Sequence, residues 1–107
     1  MILLQVVPKA GIDAYKLLRD KVTHDAQTWY WANKAKTRLR HNSVAHGYIE
    51  VASADCVLVA QICPGEPSDA FKLAEKFIGR SVAWFEDALV SINIQFVPDE
   101  TKAKKRR

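Results

Sequence analysis

Residues 47–63 read GYIEVASADCVLVAQIC. GYIEVA and VLVAQIC are rich in β-branched and aromatic residues, and Ser53, Ala54 and Asp55 between them are short enough for a hairpin connection. Two antiparallel strands are therefore predicted here. The PGEPSD that follows, residues 64–69, ends the second strand and opens a helix, with Glu66 or Ser68 as cap and Asp69 favourable in the first turn. Apolar residues then recur at helical spacing, Phe71, Ala74, Phe77, Ile78, Val82, Phe85 and Leu89, against a far side of Lys72, Glu75, Lys76, Gly79 and Glu86. These aromatics are read as core. From Ser91 to Val97 the chain alternates Ile92, Ile94 and Phe96 with Asn93 and Gln95 up to Pro98, a last half-buried strand.

On the N-terminal side, Ile2 to Val7 is an apolar run closed by Pro8, and a turn through Gly11 leads to a helix over about 12–24 carrying Tyr15, Leu18 and Val22 on one side. A break is placed near 25–27. Residues 25–33 stay open between helix and strand, because Ala26 and Trp29 could continue the helical stripe while Thr28, Trp29, Tyr30 and Trp31 suit a strand. The resulting order, β, α, two or three strands, α, β, predicts an α+β fold: a ferredoxin-like plait variant with a mixed or antiparallel sheet of four to five strands and two helices on one face.

Alternation then sorts the sheet into two faces. One carries Ile2, Leu4, Val6, Ile49, Val51, Leu58, Ala60, Ile62, Ile92, Ile94 and Phe96, the expected core. The other mixes Leu3, Val7, Val57, Val59, Val97 and Tyr48 with Gln5, Gln61, Asn93, Gln95 and Glu50. That face is too apolar to sit in water and too rich in amides for an ordinary core. Either another subunit or a flat ligand covers it, which makes a homo-oligomer the expected partner, or the chain's own segment 25–45 folds across it.

The 107 residues fit one domain, with 49% hydrophobic residues to build its core and 26% charged residues to solvate its surface. Residues 1–99 are read as the domain and 100–107 as a basic tail. The tail's Lys102, Lys104, Lys105, Arg106 and Arg107 hold five of the sixteen cations, so the remaining eleven are outnumbered by twelve carboxylates and the net charge of +4 belongs to the tail. No apolar run is long enough to cross a bilayer and Met1 to Val7 lacks the form of a signal peptide, so a soluble cytoplasmic protein is expected.

The sequence holds no Gly-rich phosphate loop, no nucleophile elbow and no ligand cluster with zinc spacing; His24, His41 and His46 are read as structural or surface residues. Cys56 and Cys63, seven apart in one strand, point to opposite faces and are read as free thiols. No cofactor or metal is assigned and no catalytic residue is named. One pattern carries a function: KAKTRLRH, residues 34–41, places Lys34, Lys36, Arg38 and Arg40 at every second position. On a strand all four project from one face about 6.7 Å apart, with Tyr30 beside them and Trp29, Trp31 and Leu39 on the other side. Together with the tail this reads as a surface tracking the phosphates of single-stranded RNA or DNA with low sequence specificity, Tyr30 offering a stacking plane. The alternatives are cations that merely guard a sheet edge, or a homo-oligomeric scaffold or small-ligand module without a nucleic-acid role.

Overall fold

A computed structural model describes residues 1–98. The elements run β1 (Ile2–Pro8), α1 (Ala14–His24), β2 (Trp29–Trp31), β3 (Arg38–His41), β4 (Gly47–Ala54), β5 (Val57–Pro64), α2 (Pro67–Phe85), a 3-10 turn (Glu86–Ala88) and β6 (Leu89–Phe96). All six strands form one sheet in the order β2-β3-β4-β5-β1-β6, and every neighbouring pair is antiparallel. The α+β class holds, but the sheet has six strands rather than four or five, and none of it is parallel. The extra strand comes from residues 25–45, which fold into a hairpin of their own.

The β4–β5 hairpin is tighter than the sequence suggested. Ala54 pairs with Val57, so its loop is Asp55 and Cys56, both in the left-handed region at φ 51° and 70°. Those dihedrals define a two-residue turn whose twist matches the strands it joins. At the other end of β4, Gly47 has φ +95°, and a Cβ there would lie 2.8 Å from the Gly65 nitrogen. Only glycine allows both the dihedral and the close approach of the two chain segments.

Asp13 caps α1 by accepting a hydrogen bond from the Lys16 N–H, and Ala14, Leu18 and Val22 turn inward. In α2, Glu66 is the N-cap, and the Glu66 N–H donates to Asp69 Oδ2 at 3.1 Å within a capping box. Its inward face differs from the predicted stripe: Leu73, Phe77 and Ser81 are buried, whereas Phe71 is 68% and Val82 44% exposed. The stripe of apolar residues is wider than the strip of helix that meets the sheet, and Phe71 and Val82 lie beyond its border. Leu89 begins β6 instead of ending the helix.

Both helices contribute to a single core with Leu4, Val6, Leu39, Ile49, Val51, Leu58, Ala60 and Ile62, so they lie on one side of the sheet. Ile94 and Phe96, assigned to that core from their alternation, have the predicted side but remain 48% and 78% exposed. They sit on the outermost strand, past the cover that α2 provides. Among the described residues no helix is long and apolar enough to cross a membrane. The basic tail lies outside the described residues.

Candidate functional site

The side of the sheet opposite the helices is read from its transverse rows. Arg38, Glu50, Gln61, Leu3 and Gln95 stand in register across five strands. The adjacent row runs Ala52, Val59, Gln5 and Asn93, and on the other side Tyr48 pairs with Cys63. The surface that results has valine and leucine side chains in its body and four amides, Gln5, Gln61, Asn93 and Gln95, running through it. Residues 25–45 do not cross this face. Their hairpin pairs with β4 and widens the sheet, leaving the face open among the described residues.

The same hairpin breaks the predicted row of cations. Residues 32–37 form its connection, organised by Asn33: its Oδ1 accepts from the Thr37 and Arg38 N–H groups at 3.1 Å each, and its Nδ2 donates to Thr37 Oγ1 at 2.8 Å. Lys36 adopts φ 57° in this turn, its carbonyl accepts from the Tyr15 hydroxyl at 2.9 Å, and its Nζ reaches Thr23 Oγ1 on α1 at 3.1 Å. Lys36 therefore faces the helix layer, and Lys34 is exposed in the turn. Only Arg38 and Arg40 share a strand face as the period of two requires.

Tyr30 does stand where the sequence placed it. It pairs with Arg40 across β2 and β3 and is 43% exposed, while Trp29 and Leu39 on the inner side are buried. The arginines are engaged. Arg38 Nε lies 3.2 Å from Glu50 Oε2, and its guanidinium stacks 5.0 Å from the Tyr48 ring centroid. Arg40 donates from Nη2 to the Ala45 carbonyl at 2.6 Å, and its buried Nε has no hydrogen-bond partner among the described residues. The structure thus brings Tyr30, Arg38 and Arg40 together with Tyr48, separates Lys34 and Lys36 from them, and leaves Lys102, Lys104, Lys105, Arg106 and Arg107 outside the described residues. Tyr48 was absent from the predicted site; its place in the register opposite the β3 arginines is its only signal.

His41 belongs to the inner side. Its ring meets Trp29 edge-on at 4.7 Å, its Nδ1 accepts from the Ser43 N–H at 3.0 Å, and burial, with Lys76 and Arg80 of α2 adding positive charge, lowers its pKa below the ordinary 6.5. His24 and His46 are exposed, and among the described residues no group of histidine, cysteine or carboxylate side chains is arranged to hold a metal. Cys63, on the open face, has its thiol pKa raised by burial, and both cysteines are free. Comparison of the chain with protein-family models, curated proteins and solved structures gave no match.

Proposed function

We propose that this chain is a self-associating module in which the open sheet face stacks on the same face of a second copy. On this reading the fold is a ferredoxin-like plait carrying the β2–β3 hairpin as an extension, supported by the strand order β4-β5-β1-β6 with α1 after β1 and α2 after β5. That arrangement puts both helices on one side. The observation that carries the reading is that the half-apolar side is left open by the segment best placed to cover it.

A second copy suits this face because carboxamides donate and accept, so amides related by a two-fold axis can pair with one another. The four long strands span about 20 by 25 Å, on the order of 500 Å² per copy, and the pair reaches the ~1,000 Å² that specific interfaces need. Light scattering across a concentration series tests this. Val59→Asp, which places a carboxylate in the middle of the face, should dissociate the pair with the far-UV circular dichroism unchanged. Wild-type chain that stays monomeric at high micromolar concentration overturns the reading.

A second reading rests on Tyr30. An exposed tyrosine in register with Arg40, beside the exposed Lys34 turn, offers a stacking plane and positive charge at the β2 end of the sheet. On that reading the hairpin and the tail hold the phosphate backbone of single-stranded RNA or DNA. Fluorescence anisotropy with an oligonucleotide of about 10–16 nucleotides at two salt concentrations measures it. Lys34→Gln should lower affinity and salt dependence together, and Tyr30→Ala affinity alone. Absence of binding at low salt removes this reading and leaves Arg38 as a cation answered by Glu50 on the neighbouring strand.

A further inference from the structure

The far edge of the sheet raises a separate question. β6 is the outermost strand, eight residues long, and its sequence LVSINIQF holds no charge. Sheets ordinarily protect such an edge with lysine, proline or very short strands. β2, at the opposite edge, is three residues long; β6 has none of these protections. The Val97 N–H donates to the Met1 carbonyl, so by alternation along the strand the N–H and C=O groups of Ile92, Ile94 and Phe96 are directed away from β1, to the outside.

Beside this edge, on the helix side, runs an apolar groove of about 760 Å³ lined by Ile2, Phe71, Ala74, Ile78, Ile94 and Phe96. α2 forms its inner wall. Its outer wall is missing where a further strand of the sheet would stand, and Phe71, Ile94 and Phe96 are left in water at 68%, 48% and 78% exposure. Among the described residues the backbone ladder at this edge is unpaired and the groove beside it open, and both call for one occupant, an extended apolar strand.

We propose that this strand is β6 of a second copy, paired antiparallel to β6 about a two-fold axis through Ile94. The axis position follows from the strand itself. Between Val7 and Pro8 the β1–β6 register shifts, with Ser91 and Leu89 as the successive partners, so Val90 is a bulged residue where regular pairing stops. Centring on Ile94 keeps residues 92–96 in the ladder and leaves the bulge out. Ile94 then faces Ile94 and Phe96 faces Ile92 on the helix side, while Asn93 faces Gln95 on the other side. Each is an apolar or amide pair of the kind that stabilises antiparallel sheets, with no like charges opposed.

The area is sufficient. A phenylalanine contributes about 200 Å², so Phe71 and Phe96 alone offer on the order of 300 Å² per copy, and with Ile94 and the strand backbone the pair approaches 1,000 Å². This contact is independent of the open sheet face. Its axis stands normal to the sheet, whereas a face-to-face axis lies between two sheets, so the two axes are perpendicular, as in a closed tetramer.

Cross-linking tests the register. In a Cys56→Ser, Cys63→Ser background, Ile94→Cys should give a disulfide-linked dimer on mild oxidation, because residues facing across an antiparallel hydrogen-bonded pair have Cα atoms about 5.5 Å apart. The same dimer should form when Val59→Asp is added, which separates this contact from the face. Ile94→Lys should halve the mass of the wild-type assembly with unchanged circular dichroism. A folded Ile94→Cys chain that does not cross-link, or an Ile94→Lys chain of unaltered mass, overturns the proposal; so does wild-type chain that is monomeric until an apolar peptide is added, which would make the groove a site for another protein's strand.

Discussion

Cys56 occupies the second position of the β4–β5 turn at φ 70°, a dihedral that costs a residue with a Cβ about 1 kcal/mol. Its side chain is exposed and bonded to no partner cysteine, while its carbonyl, which accepts from the Ala14 N–H at 3.0 Å, belongs to the backbone. Cys56→Gly therefore relieves strain and removes little, and should raise the unfolding free energy by about 0.5–1 kcal/mol in urea titrations. His41 carries the pH dependence at this scale. Burial first, and then Lys76 and Arg80, lowers its pKa in the folded chain, so the unfolded chain binds the proton more readily. Stability is complete above the unfolded value of 6.5 and falls as pH drops below it toward the folded value. Thermal melts between pH 7.5 and 5 should show this decline, and His41→Gln should flatten it.

Among the elements, those with chemical punctuation were legible. The β4–β5 hairpin and the start of α2 at Pro67 follow from turn residues, caps and periodicity in the sequence, whereas the end of α1 at His24 has no Gly or Pro to mark it. The capping box predicts its own test: Asp69→Ala leaves the Glu66 N–H without its acceptor and should cost about 1 kcal/mol, read from the urea midpoint. The β2–β3 hairpin was not legible, because residues 32–37 contain neither Gly nor Pro and Asn33 builds the turn with its side chain. Without that turn, four cations at a period of two looked like one strand face. Two of them fell in the connection, and Lys36 reached α1. Asn33 was the available signal, since asparagine bonds readily to backbone groups a few residues on. The outer ends of the apolar stripes failed for a different reason. Periodicity assigns Phe71, Ile94 and Phe96 to a side, but whether anything covers that side depends on where α2 lies over the sheet, a tertiary fact that spacing does not encode.

At the scale of the whole molecule, the fold has one finished layer and two unfinished borders. Helices and sheet enclose a single core. Beyond it lie the amide-and-valine face of β1, β4, β5 and β6, and the uncharged β6 edge with its groove. Alternation made the face legible from sequence, since Gln5, Gln61, Asn93 and Gln95 fall on the same parity as Leu3, Val57 and Val59 once the strands are paired. Its openness was not legible, because segment 25–45 could have crossed the face or extended the sheet. The measurement closest to the central claim is sedimentation equilibrium of wild type and Val59→Asp over low to high micromolar concentration. The account predicts wild-type particles at a multiple of the 12.1 kDa chain mass, and a folded Val59→Asp chain of lower mass at the same concentrations. A wild-type chain that sediments at 12.1 kDa throughout, or a Val59→Asp chain that sediments with wild type, contradicts it.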